Sequence, residues 1–169
     1  MITSPNRRIA LIAFAIFALD QLTKQVVLRF LALGDEHVLV DGFFKLVYWS
    51  NTGAAWSMFH NRNEALAIVS LIALLGLFIW RHHFDTKTAL GQISMGLIFG
   101  GIIGNLADRL VVRHVIDFLR FYIYKRNGEE IGFPAFNVAD SAICVGVFLL
   151  FILSWRETES RPSAQQSQA

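Results

Sequence analysis

Four stretches of this chain are long and apolar enough to cross a bilayer, and nothing else in it limits the fold so strongly. A spanning helix needs about 20 mainly apolar residues. The candidates fall at about 9–33, 65–80, 88–107 and 135–155. The second, ALAIVSLIALLGLFIW, and the SAICVGVFLLFILSW run of the fourth carry no charge at all. Lipid offers no water to open backbone groups, so such segments must be helices. Composition agrees: 54% of residues are hydrophobic, 17% are charged and the mean hydropathy is +0.48. A soluble domain carries roughly 25% charged residues. The fold class expected is an α-helical polytopic membrane protein, four transmembrane helices in one domain over 1–155, followed by a polar, disordered cytoplasmic tail at 156–169.

An Asn-Arg-Arg start before an apolar run resembles a secretory leader, but DQLTKQ follows where a small-x-small cleavage site would stand. The first span is therefore read as retained. Four spans put both termini on one side. Arg7, Arg8, Arg81, Lys87 and Arg156 favour the cytoplasm for the termini and the short 81–87 connection. Lys45, Arg62, Arg113, Arg120, Lys125 and Arg126 fall on the other side, in longer loops at about 34–63 and 109–134, where Glu129 and Glu130 offset part of the charge.

Those loops carry structure of their own. HVLVDGFFKLVYWSN, 37–51, places Asp-Gly between β-branched and aromatic runs, which signals a hairpin. HVIDFLRFYIYKRNGEEIGF, 114–133, repeats the theme with a turn at RNGEE. A small extracytoplasmic β-element with a lid-like surface segment is expected. Glycines 96, 100 and 104 share one face of the third span and suit close helix packing. Cys144, the single cysteine, excludes an internal disulfide and reads as a buried packing residue.

Ionisable groups in or beside the bilayer are expensive, and each asks for a partner or a function. Asp20 and Lys24, i and i+4, either neutralise each other or help to hold substrate backbone. Asn105, Asp108 and Arg109 close the third span; the two charges could mark the membrane boundary, whereas the amide one turn inside needs hydrogen bonds. Asn137 and Asp140 lie one turn apart at the mouth of the fourth, where a carboxylate also gains from the helix dipole. Asp117 is the remaining acid in an apolar setting. Two facing carboxylates share a proton, because like charges a few ångströms apart cannot both ionise cheaply. One can then act as general base on a water while the other protonates a carbonyl oxygen. Other chemistries lack parts. The histidines at 37, 60, 82, 83 and 114 form no HExxH, and no G-x-S-x-G or phosphate-binding glycine pattern occurs. No metal, cofactor or nucleic-acid partner is expected.

Five ordered blocks, DQLTK, NTGAAWS, GGIIGNLADRL, HVIDF and FPAFNVADSAICVG, resemble the bacterial lipoprotein signal peptidases over about residues 10–155. The resemblance implies an intramembrane aspartyl peptidase of the inner membrane that removes signal peptides from diacylglyceryl-modified prolipoproteins just before the lipidated cysteine. It implies Asp117 and Asp140 as the catalytic pair, with Asp108 supporting. Asp20, Lys24, Asn51, Gly53, Gly101, Asn105, Arg109, Asn137 and Ala139 match the polar and close-packed positions around the substrate. The expected partners are prolipoprotein and membrane lipid, with the chain a monomer. A small proton-coupled transporter is the rival reading, and would put its acids near the midplane. A membrane assembly factor would leave both Asn-x-x-Asp blocks unexplained.

Overall fold

The computed structural model describes residues 4–53, 62–84 and 86–159. His60 and residues 54–57 of the NTGAAWS block lie outside them. Among the described residues, four helices are long and apolar enough to span a membrane: α1 (Pro5–Phe30), α2 (Asn63–Trp80), α3 (Ala89–Val111) and α4 (Val138–Glu159). A four-stranded antiparallel sheet, ordered β1-β2-β3-β4, is made from the two long loops. Its strands are β1 (Glu36–Val40), β2 (Phe44–Asn51), β3 (Val115–Tyr124) and β4 (Glu130–Gly132).

The helix α3 sits innermost, and its glycines explain how. A Cβ on Gly96 would meet Ile12 at 2.6 Å, and one on Gly100 would meet the Ala13 carbonyl at 2.7 Å. Gly101 is turned the other way, where a Cβ would fall 2.5 Å from the Ala139 carbonyl of α4. Small residues thus let α1 and α4 approach α3 backbone to side chain. Ile9, Ala13, Met95 and Phe99 fill the seam between α1 and α3. Leu11, Phe14, Ile72 and Phe148 stay exposed on the outer faces of their helices.

The Asp41-Gly42 hairpin forms as expected, with Gly42 at φ 69°. The aromatic run at 115–124 becomes β3, paired to β2, and the RNGEE turn leads into β4. The surface segment expected beside the β-element is therefore part of the same sheet, because pairing satisfies its backbone groups. Lys45, buried in β2, ties three strands together through Glu36 of β1 at 2.5 Å and Glu130 of β4 at 2.8 Å.

Helix ends differ from the hydropathy boundaries. The third span runs on to Val111, because Asp108 and Arg109 are buried rather than marking a water boundary. The fourth helix starts at Val138, not 135, because Pro134–Phe136 reach back to the sheet. Phe136 and Leu119 exchange backbone hydrogen bonds at 2.9 and 3.0 Å. It also continues through Glu159, so residues 156–159 of the expected tail are helical.

Candidate active site

Local rules place each acid. Asn137 precedes the first turn of α4; its Oδ1 accepts from the Asp140 amide at 2.9 Å, while Asp140 Oδ2 accepts from the Asn137 amide at 3.2 Å. This reciprocal pair is a capping box built from Asn and Asp. It fixes Asp140 at the helix mouth. Asp117 comes from β3, opposite Trp49 of β2, so its position follows from strand register. The bridge between Leu119 and Phe136 then brings the start of α4 alongside β3, and with it the two acids.

Three amides hold them. Asn51 donates to Asp117 Oδ2 at 2.9 Å, Asn137 donates to Asp117 Oδ1 at 2.9 Å, and Asn105 donates to Asp140 Oδ1 at 2.7 Å. Neither carboxylate has an ion pair among the described residues. Burial, and then the charge of Asp140, push the Asp117 carboxyl up to about 7, against the opposing pull of the Asn51 hydrogen bond.

Asp117 and Asp140 line a cavity of about 830 Å³ together with Asn51, Gly53, Asn105 and Arg109. Its far wall is apolar, from Phe133 to Phe136 and on to Ile143 and Cys144. Arg109 donates to the Gly53 carbonyl at 3.1 Å, and its buried Nε has no hydrogen-bond partner among the described residues. Gly53 in turn donates its amide to Asn51 Oδ1 at 2.9 Å, which sets the Asn51 amide towards Asp117.

Asp20, Lys24 and Asp108 do not line this cavity. They form a separate buried cluster behind it, with Lys24 Nζ 2.8 Å from Asp20 and 2.7 Å from Asp108. Asp20 and Lys24 thus form the internal ion pair that their i, i+4 spacing allows, set back from the cavity lining. Gly101 and Ala139 belong to the α3–α4 seam beside that cluster. Cys144 corrects the expectation of a buried packing residue: it is exposed and borders the cavity. Sequence reasoning passed over Gln21, which donates to Asp108 at 2.9 Å, and over Trp49 and Arg120, stacked at 4.4 Å in the cavity wall. Gln21 was readable as the amide inside DQLTK; the other two depended on strand register. Among the described residues no three His, Cys, Asp or Glu side chains converge as a metal would require.

Residues 12–156 match the family described as signal peptidase (SPase) II. The chain belongs to the signal peptidase II family. It is therefore a peptidase and a multi-pass bacterial membrane protein. A lipoprotein signal peptidase of Syntrophotalea carbinolica is 40% identical over 89% of this chain and 92% of its own length. One from Bacillus subtilis is 36% identical over 84% of this chain and 89% of its own. Two solved bacterial membrane enzymes share the fold. One, solved at 2.3 Å, has a TM-score of 0.77 at 28% identity, covering 94% of this chain and 92% of its own. The other, at 1.9 Å, has a TM-score of 0.72 at 29% identity, covering 85% and 90%. Signal peptidase II membership thus spans nearly all the described fold, sheet included.

Proposed function

We propose that the protein removes the signal peptide from diacylglyceryl-modified prolipoproteins, cutting just before the lipidated cysteine, with Asp117 and Asp140 as an aspartyl dyad. The observation that carries this reading is two carboxylates on one cavity, gripped by amides and, among the described residues, with no cation paired to either. Amides orient an acid without cancelling its charge, so repulsion between the two is relieved by a shared proton. The ionised partner takes a proton from a water held between them, and the protonated partner delivers its own to the scissile carbonyl oxygen. Collapse of the tetrahedral intermediate returns the protons and releases the amine. The pair titrates as a unit.

An extended substrate needs its backbone satisfied where lipid cannot do so. Arg109 Nε and the polar wall from Trp49 to Gly53 supply donors and acceptors there, and the apolar wall receives the hydrocarbon side of the substrate. Asp140 lies in the first turn of α4 and Asp117 in a strand outside the spans, which supports hydrolysis at a membrane edge over proton transport at the midplane. In this reading the termini are cytoplasmic, the sheet and cavity are extracytoplasmic, and the working unit is one chain.

The test is cleavage of a diacylglyceryl-modified precursor by purified protein in detergent, with no ion gradient. Cleavage before the lipidated cysteine, with the unlipidated precursor left intact, is the expected result. Failure of the unmutated protein to cut, or equal cutting of both precursors, overturns the reading.

A further inference from the structure

We infer that Lys24 is the hub of a positioning device that sets the two dyad aspartates against each other, an inference resting on the dyad assignment above. An ammonium has three donors, and Lys24 spends them on three groups. Two are the carboxylates of Asp20 at 2.8 Å and Asp108 at 2.7 Å; the third is Asn105 Oδ1 at 3.2 Å. Each of these leads to the dyad by one further hydrogen bond. Asp20 Oδ1 accepts the backbone amide of Ala139, the residue before Asp140, at 2.9 Å. Asp108 Oδ2 accepts the amide of Ile116, the residue before Asp117, at 3.3 Å. Asn105 donates directly to Asp140 Oδ1 at 2.7 Å.

The device is fully enclosed. Asp20 and Lys24 are both 0% exposed and Asp108 is 3% exposed. A slot for it is carved by Gly104, where a Cβ would lie 2.6 Å from Asp20 Oδ2. Gln21 closes it by donating to both carboxylates and to the Gly104 carbonyl. Burying three charges is costly and simple helix adhesion does not require it, since apolar side chains of similar volume do as well. What an ammonium supplies here is direction. It fixes which oxygen of each acid faces the main chain, and which end of Asn105 faces Asp140. One cation thereby links α1, α3, β3 and α4 at the peptide units that carry the dyad. Lys24, Asp20 and Asp108 are positioning residues; none of them lines the cavity.

The test uses full-length protein in detergent: wild type, Asp140→Asn as the reference, Lys24→Met, Asp108→Asn, the Lys24→Met/Asp108→Asn double variant, and Gly104→Ala. Gly104→Ala keeps every charge and displaces chiefly the Asp20 carboxylate, at 2.6 Å, with a lesser push on the Ala139 Cβ at 3.3 Å. For each, kcat and KM for the lipidated precursor are measured per folded molecule, with thermal unfolding in parallel. A misplacement of catalytic groups predicts a kcat lower by about 10- to 100-fold in each single hub variant, with KM within about two-fold of wild type. The double variant falls no further than the worse single one, because both break the same link. Hub variants that unfold more readily but keep kcat within about two-fold would make the cluster a structural plug and overturn the inference. Multiplying losses in the double variant would overturn it as well. Should Lys24→Met fail to fold, Gly104→Ala and Asp108→Asn decide alone. A wild type that does not cut sinks the proposed function itself. A cutting wild type, a dead Asp140→Asn and unimpaired hub variants sink only the hub.

Discussion

Two acid-rich clusters lie side by side at one end of this helix bundle, and they resolve the same electrostatic problem in opposite ways. Behind α3, Asp20 and Asp108 have a buried ammonium between them, and the cluster is sealed. In front, Asp117 and Asp140 have only amides as hydrogen-bond partners among the described residues, and they open onto a cavity. A cation between two carboxylates offsets their mutual repulsion and holds both in place. Amides supply geometry and leave the repulsion in place, to be relieved by a proton that can move. Asn105 touches both, accepting from Lys24 and donating to Asp140. What separates the two pairs is the type of partner more than burial, since Asp20, Asp108 and Asp117 are all buried and Asp140 is half-buried.

The largest effect breaks the front cluster alone. Asp117→Asn and Asp140→Asn each remove one half of the acid–base pair and should slow cleavage by roughly 10²- to 10⁴-fold, with insertion and precursor binding retained. Near wild-type cleavage by either would move the assignment to another acid, Asp108 first.

The rear cluster should break differently, through stability as well as rate. Lys24→Met leaves Asp20 and Asp108 facing each other without their cation, and removing one partner of a buried pair costs about 3–5 kcal/mol. Thermal unfolding in detergent measures it. Replacing an inert pair and its cation together, with Asp20→Leu/Lys24→Met/Asp108→Leu, should recover part of that loss, while the front cluster offers no such recovery. Equal stability of Lys24→Met and wild type would mean that the rear charges are not truly desolvated.

The spans were legible because lipid exposure leaves long uncharged runs; α2 shows this most plainly. The hairpin was legible from Asp41-Gly42. The grouping of the acids was not readable from spacing alone, since GNLAD and FNVAD share one pattern. In the second the Asn precedes a helix and caps Asp140; in the first, Asn105 and Asp108 sit inside a continuous helix. That difference depends on where helices start, the feature hydropathy locates least well. The tie between Asp108 and Lys24 was hidden for another reason: it joins residues 84 positions apart. Arg113, at φ 68°, likewise turns the chain from α3 into β3 without the glycine that would have announced it.

The acidity of Asp117 sharpens the contrast quantitatively. Burial first, and Asp140 second, hold its carboxyl up at about 7, against about 3.9 in an unfolded chain. The folded state therefore binds this proton more tightly. Stability from it is fully present below about pH 4 and is lost as pH rises through about 7. Asp117→Asn carries no charge at any pH and escapes that loss. Its stability advantage over wild type should grow by roughly 2–4 kcal/mol between pH 4 and pH 8. Over the same range wild-type cleavage should decline above about pH 7, as the shared proton leaves. A constant difference between the two unfolding curves would show that Asp117 is paired like Asp108.

The smallest effect comes from the same pairing chemistry placed in water. Lys125 and Glu129 bond at 2.9 Å, i and i+4, much as Lys24 and Asp20 do at 2.8 Å, yet their side chains are 43% and 60% exposed. Lys125 lowers the Glu129 carboxyl below its usual range, but solvent already serves both ions and salt screens what remains. Glu129→Gln should leave both the unfolding temperature and kcat unchanged, at low and at high salt. Lys24→Met, by contrast, should lose stability at either ionic strength, because salt does not reach an enclosed pair. Matching ion-pair lengths would then give opposite outcomes, set apart by desolvation and by the second carboxylate that Lys24 holds. A measurable loss in Glu129→Gln would mean that the turn at 125–129 transmits to β4 and the cavity wall, and that the sheet rim, not only the sealed cluster, holds the site in shape.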